Sequence, residues 1–154
     1  MASHVEQLQQ VELFRGLRPA ALERIARVSK EETHPRGTVL FRHGDPGDKL
    51  YLLLEGKVRI SRDVPGMGEE ALAVLSPGQM FGEMSLLDES PRSADAHAHE
   101  DCRVLAISRD DFDDLLFIDK ELAYEVLWTV VGILTSRLRE TNDKLTFLSI
   151  TGKF

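Results

Sequence analysis

Four residues between positions 82 and 93 could together bind a phosphate that is attached to a sugar: Gly82, Glu83, Arg92 and Ser93. A glycine ahead of a short helix lets backbone N–H groups point at an anion, and the helix dipole adds positive potential there. Arg92 can donate two parallel hydrogen bonds to the same anion, and Ser93 can add a hydroxyl group. Because Glu83 would lie in the first helical turn, its carboxylate can accept hydrogen bonds from a sugar diol. These residue types at this spacing predict a pocket for a ribose phosphate.

The elements that must position these residues are a strand end, a tight turn, one helical turn and a second strand. Residues 80–81 end the first strand, and the chain turns at Gly82. Residues 83–87 have the apolar spacing of one helical turn, and residues 88–91 are turn-forming. Arg92 opens the second strand, whose two faces carry different side chains: Ala94, Ala96 and Ala98 on one, and Ser93, Asp95 and His97 on the other. The alternative to a phosphate pocket is a strand-turn-strand corner on the surface, in which Arg92 only forms an ion pair with Glu83.

The segment FGEMSLLDESPRSADAHA, residues 81–98, resembles the phosphate-binding cassette of the cyclic nucleotide-binding domain family. The FGE triplet, the nine-residue step from its glutamate to the arginine and the Ser-Ala that follows all match. The resemblance implies cyclic AMP as the ligand, with cyclic GMP as a second possibility. It also implies that the ribose 2′-hydroxyl binds Glu83. The phosphate ligands that it implies are Gly82, Ser85, Arg92 and Ser93.

Composition sets limits on the class of protein. The chain has 154 residues, of which 42% are apolar and 29% charged, and it predicts one structural domain. A formal net charge of −7 argues against nucleic-acid binding through the whole surface. The lone Cys102 predicts a small core residue and fits a reducing cytoplasm. The N-terminal residues lack the pattern of a secretion signal, and no apolar run approaches the ~20 residues of a membrane helix.

Short apolar strands separated by glycine and proline turns predict an antiparallel sandwich or barrel. The family resemblance implies more: a mainly β fold with flanking helices, built as an antiparallel β jelly roll (double-stranded β-helix) with a long C-terminal dimerisation helix. A helix is predicted at Pro19–Val28, since Pro19 suits a first helical position. The expected organisation is residues 1–118 for the helical start, jelly roll and short helix, and 119–154 for the long helix and hinge. The two segments would form a single structural domain.

The last third of the sequence has a helical period. Apolar residues recur at alternating steps of four and three, with one polar member at position 141: Leu127, Val131, Leu134, Leu138, Thr141, Leu145 and Leu148. This heptad seam predicts a parallel two-stranded coiled coil, and therefore a homodimer. The alternative is that the stripe packs only on its own barrel. A small barrel, however, can cover only about 15 to 20 residues of helix at the α-helical rise.

The segment RLRETNDK, residues 137–144, resembles the part of the dimer helix that reaches the base in the catabolite-activator branch of the family. The resemblance implies that Thr141 and Asn142 contact the base, one from each subunit. It also implies that Arg137 meets Glu83 near the ribose. A solvated helix charge is an equally good interpretation of Arg137.

Two features depart from the family pattern. The segment FLSITGKF resembles a hinge that leads into a DNA-binding unit, but the sequence ends at Phe154. We therefore expect no DNA binding from this chain and an unknown protein effector as its partner. The alternative is a catabolite-activator-type transcription regulator whose DNA-binding part is absent. The second feature is Asp95, where the family usually has a neutral residue. It could weaken phosphate binding, accept hydrogen bonds from a base, or pair with Arg103.

No catalytic or metal-binding set is evident in the sequence. A nucleophile, a base and an orienting group at suitable spacing are lacking, so we expect a binding protein and not an enzyme. His97 and His99 could start a metal site but have no third ligand nearby. Consecutive carboxylates on a helix point in different directions, so solvated charge is a better interpretation than a shared ion for Asp110, Asp111, Asp113 and Asp114. A dimeric scaffold with a pocket that binds nothing is the remaining alternative.

Overall fold

Two four-stranded antiparallel sheets form the centre of the fold in the computed structural model, which describes residues 4–82 and 90–151. The strands are β1 Ser29–His34, β2 Val39–Phe41, β3 Lys49–Glu55, β4 Val58–Val64, β5 Gly68–Leu75, β6 Met80–Phe81, β7 Asp95–Ala98 and β8 Cys102–Ser108. Their order is β1-β8-β3-β6 in the first sheet and β2-β7-β4-β5 in the second. Two sheets that exchange successive strands in this order make an eight-stranded jelly roll, as predicted.

Helices flank the first sheet and continue beyond it. They are α1 Val5–Gln9, a 3₁₀ helix at Glu12–Phe14, α2 Pro19–Val28, α3 Arg109–Ile118 and α4 Lys120–Thr151. The predicted bounds of α2 are confirmed, with Pro19 at its start. Ser108 caps α3 by accepting a hydrogen bond from the Asp111 N–H at 3.1 Å. None of the described helices is long and apolar enough to cross a bilayer.

The two central strands of the first sheet, β3 and β8, are buried on both faces, which explains the unbroken apolar run of β3. Leu50 and Leu52 pack against the helices, together with Phe14, Leu122 and Val126. The alternating residues of the same strand, Tyr51 and Leu53, face the second sheet. There they belong to a second apolar cluster with Val58, Ala96 and Ala98 of the second sheet and with Val104 of the neighbouring strand β8. A strand covered on both faces needs apolar side chains at every position.

The long helix α4 leaves the jelly roll after about a third of its length. Leu122, Val126 and Val130 are its buried residues, and Val130 is 8% exposed. Its start is held by Asp119, whose carboxylate accepts a hydrogen bond from the Leu122 N–H at 3.0 Å. This hydrogen bond lowers the pKa of Asp119. From Val131 onward the apolar side chains of the heptad seam remain largely exposed, so the barrel does not cover the stripe.

Candidate functional site

A cavity of about 340 Å³ opens between the second sheet, β6 and helix α4. Its wall includes four residues that the sequence predicted for one site: Gly82, Arg92, Ser93 and Arg137. Glu83 and Ser85 lie outside the described residues. The fold therefore brings together residues that are up to 55 positions apart, from Gly82 to Arg137.

Arg92 is the most constrained of these residues. Its side chain is only 2% exposed, and its guanidinium donates from Nη2 to the Lys49 carbonyl at 2.7 Å and from Nη1 to the Gly82 carbonyl at 3.1 Å. The nearest carboxylate oxygen among the described residues is Oδ1 of the well-exposed Asp48, at 3.8 Å from Nη2. Two backbone carbonyls therefore help to orient the guanidinium at the cavity wall, where a planar cation can bind an anion.

The backbone around Arg92 is held by the loop between β2 and β3. The Arg92 N–H donates to the Asp45 carbonyl, and the Gly44 N–H donates to the Arg92 carbonyl, each at 2.8 Å. The predicted strand start at Arg92 is wrong, because β7 begins only at Asp95. The Arg92 backbone bonds to this loop instead of a strand ladder, and the two residues that follow, Ser93 and Ala94, both line the cavity.

Asp95 is absent from the cavity lining, and its predicted pairing with Arg103 is wrong. The carboxylate is buried and accepts a hydrogen bond from the His43 N–H at 2.6 Å. Arg103 pairs instead with two glutamates on neighbouring strands, Glu31 and Glu55. Because strand alternation starts only at β7, the expectation that Asp95 shares a face with Ser93 fails. The side chain ties the β2–β3 loop to β7, and the same loop holds Arg92.

One aromatic residue at the cavity was missed by the sequence interpretation. The ring of Phe41, in β2, lies 4.1 Å from the Arg92 Cζ atom. Tyr51 is farther from the same atom, at 5.9 Å, and burial raises the pKa of its phenol, so it stays neutral beside the cation. No local sequence signal identifies Phe41, since the contact depends on the pairing of β2 with β7 through Phe41 and Ala96.

Gly82 adopts a conformation that favours glycine and lies directly against Arg92. Its φ angle is +80°, in the left-handed region. A Cβ atom at this position would lie 2.6 Å from the Arg92 Nη1 and 3.1 Å from the Lys49 carbonyl oxygen. Gly82 is therefore required both for the turn and for the close approach of the guanidinium.

We expect Gly82→Ala to lower the free energy of unfolding by more than the same change at Gly66. Both glycines have a φ of +80°, but a Cβ atom at Gly66 would meet nothing within 4 Å. Gly66→Ala should cost about 1 kcal/mol for backbone strain, and Gly82→Ala about 1–3 kcal/mol more, because Arg92 must move. Urea unfolding of both variants measures the difference. Equal losses would contradict the close packing of Arg92 on Gly82.

The residues predicted to contact a base lie farther along α4. Thr141 and Asn142 are exposed, and the Thr141 hydroxyl donates to the Arg137 carbonyl of its own helix at 3.0 Å. Neither lines the cavity of its own chain. A contact of both residues with a ligand therefore requires a rearrangement or a second subunit, and it stays a prediction.

Two further features bear on the chemistry of the site. Among the described residues, no group of three or more His, Cys, Asp and Glu side chains is arranged to hold a metal ion. Cys102 is free and buried, as predicted, and burial raises the pKa of its thiol. The cavity therefore presents a fixed cation, a hydroxyl and apolar side chains, a combination that suits an organic anion.

Comparisons with known proteins agree with this arrangement. A family model described as the cyclic nucleotide-binding domain matches residues 31–119. The chain is 42% identical to the Cyclic AMP receptor protein of Thermus thermophilus over 137 residues, which is 89% of this chain and 62% of that protein. It spans 62–63% of the length of the first curated relatives that it matches.

Solved structures show the same fold. The N-terminal domain of a transcriptional regulator from Streptomyces coelicolor matches with a TM-score of 0.78 and 37% identity, covering 90% of this chain and 94% of that one. The regulatory domain of Toxoplasma gondii PKA, solved with cAMP, matches with a TM-score of 0.70 and 30% identity. That match covers 73% of this chain and 43% of the other.

Proposed function

This chain belongs to the cyclic nucleotide-binding domain family, and we propose that it binds cyclic AMP as a dimeric regulatory domain that relays ligand binding to a protein effector. The observation that carries the proposal is the buried Arg92 guanidinium, held beside Gly82 at the wall of a 340 Å³ cavity. Cyclic AMP is favoured over cyclic GMP by the relative named for it and by the similar domain solved with it. Cyclic GMP remains the competing ligand in the test below.

We assign the parts of the nucleotide as the family resemblance implies. The phosphate would bind Arg92 and Ser93 from the described cavity wall, and backbone N–H groups at Gly82 and Ser85. The ribose would bind Glu83 and Arg137. The base would bind Thr141 and Asn142, one from each subunit. From the sequence alone, a ligand contact and a solvated helix charge were equally good interpretations of Arg137. Its position on the cavity wall supports the ligand contact.

The dimer would form through the heptad seam of α4. Five apolar residues of that seam are 44–62% exposed in the single chain: Leu127, Val131, Leu134, Leu138 and Leu145. A second copy would bury this stripe and place Thr141 and Asn142 of both helices near the cavities. Ligand that touches the jelly roll and both helices favours the arrangement in which all three are close, which is a population shift.

Isothermal titration calorimetry with cyclic AMP and cyclic GMP tests this function. We expect saturable binding of at least one nucleotide, with cyclic AMP the tighter. If neither binds at millimolar concentration, the chain is a dimeric scaffold and the proposal fails. We propose no catalytic step, and we place the protein in the cytoplasm, where the free Cys102 stays reduced.

A second candidate is a transcription regulator of which this chain is the ligand-binding part. It is favoured by the chain's coverage of only 62–63% of curated relatives, one of them named as a cAMP-activated global transcriptional regulator. In that case DNA recognition would reside in residues outside the sequence given. The ligand site and the dimer would be the same as in the first proposal.

We expect this chain alone to form no tight, sequence-dependent complex with DNA. Its net charge of −7 repels the phosphate backbone, which supplies most non-specific affinity. A gel-shift assay at near-physiological salt and saturating cyclic AMP measures this, with a scrambled duplex of equal length as the control. A complex that forms with a regulator site and not with the scrambled duplex would overturn the expectation.

A further inference from the structure

We infer that Phe41 is a positioning residue for phosphate capture: its ring holds the Arg92 guanidinium in place and thereby sets the affinity for the nucleotide. The inference rests on the proposed function and adds to it a residue from β2, outside the cassette. Phe41 is 51 positions from Arg92 in sequence, and the two are brought together by the pairing of β2 with β7.

The contact has the geometry of a cation–π interaction. Arg92 Cζ lies 4.1 Å from the centroid of the Phe41 ring, well inside the ~6 Å range over which the ring quadrupole attracts a cation. Since the Arg92 side chain is only 2% exposed, water screens the attraction little. The contact therefore belongs to the strong, desolvated end of such interactions.

The Phe41 ring is itself fixed by two other aromatic side chains. Its centroid lies 6.0 Å from that of Tyr51 and 6.2 Å from that of Phe81. Those two rings stack on each other at 5.0 Å with an interplanar angle of 10°. Because the three rings brace one another, Phe41 offers Arg92 a rigid surface.

The carbonyl contacts and the ring act on different atoms of the guanidinium. The Lys49 and Gly82 carbonyls accept hydrogen bonds from Nη2 and Nη1 at 2.7 Å and 3.1 Å, while the central Cζ atom lies over the Phe41 ring at 4.1 Å from its centroid. Together they restrict rotation and tilt before a ligand arrives, so less conformational entropy is lost on binding. An aromatic face also stabilises a cation without the full negative charge of a carboxylate, which would repel the phosphate.

The test compares cyclic AMP binding by calorimetry in four versions of this 154-residue chain. They are the wild type, Phe41→Leu, Phe41→Tyr and the control Phe14→Leu, which removes a buried ring from the helix-facing core. Phe41→Leu keeps the bulk and loses the ring, so it should weaken binding about 5- to 30-fold. Phe41→Tyr should bind within about 3-fold of the wild type, because it restores the ring. Phe14→Leu should lose thermal stability but bind within about 2-fold.

A double-variant cycle separates positioning from direct contact, since Phe41 also lines the cavity. If Phe41 acts through the planar guanidinium, adding Phe41→Leu to Arg92→Lys should cost no more than about 2-fold further. The same fold-loss in both backgrounds would show that Phe41 touches the nucleotide itself and would overturn the inference. Wild-type-like binding by Phe41→Leu would also overturn it, while the proposed function stands. If the wild type binds neither cyclic AMP nor cyclic GMP, the proposed function fails first.

Discussion

Arg92→Ala is expected to weaken cyclic AMP binding by about 30- to 4,000-fold. The guanidinium is the buried, fixed cation on the cavity wall, and the cyclic phosphate carries one negative charge. Removing one partner of a buried, hydrogen-bonded charge pair costs about 2–5 kcal/mol, and each 1.4 kcal/mol is tenfold in affinity. Calorimetry of the variant and the wild type under one set of conditions measures the loss.

Two companion variants sharpen this result. Arg92→Lys should recover only part of the affinity, because an ammonium keeps the charge and loses the planar fork. Arg103→Ala is the matched control, since it removes the same charge from a residue that pairs with Glu31 and Glu55 away from the cavity. The control should bind as the wild type does. If Arg92→Ala also binds normally, the nucleotide occupies another place and the site assignment is wrong.

Arg92→Ala should also lower the free energy of unfolding of the protein without ligand. The Lys49 and Gly82 carbonyls would lose their guanidinium donors, and Phe41 would lose the group packed on its face. A buried polar group without a hydrogen-bond partner costs about 1–3 kcal/mol. We therefore expect the free energy of unfolding, measured with urea, to fall by an amount in that range. Ligand affinity is therefore compared only at temperatures and denaturant concentrations at which the wild type and Arg92→Ala are both fully folded.

The double change Leu134→Glu and Leu138→Glu is expected to convert a dimer into a monomer. These side chains are 49% and 61% exposed in the single chain, so the monomer should fold without them. In a parallel coiled coil, each of the two residues would pack against the same residue of the second subunit. The two variant helices would therefore place four negative charges in one seam. Sedimentation velocity over a range of concentrations distinguishes the two states.

The matched control carries the same two charges on another face of the same helix. Phe147 and Ile150 are 65% and 79% exposed and lie outside the alternating four-and-three pattern. Phe147→Glu with Ile150→Glu should therefore leave the dimer intact. A Leu134/Leu138 variant that remains dimeric would show that α4 is not the interface.

Much of the local structure could be predicted because its causes lie within a few residues. The start of α2 at Pro19 follows from the fixed φ of proline, and the Ser108 cap follows from a side chain that reaches Asp111. The turn at Gly82 follows from the freedom of glycine to adopt positive φ. The exposed stripe on α4 follows from a heptad pattern that extends over more helix residues than the barrel can cover. These signals need no knowledge of the fold.

The arrangement around Arg92 could not be predicted in this way. Its carbonyl partner at Lys49 and its aromatic partner Phe41 are 43 and 51 positions away in sequence. Asp95 pairs with the His43 N–H and not with Arg103, because β7 begins later than side-chain alternation suggested. The chain itself determined which residues could bind a phosphate and which segments would be strands or helices. Strand pairing alone decided which carbonyls and which ring hold the arginine, since a contact between distant segments depends on register, and register is set by packing across the whole sandwich.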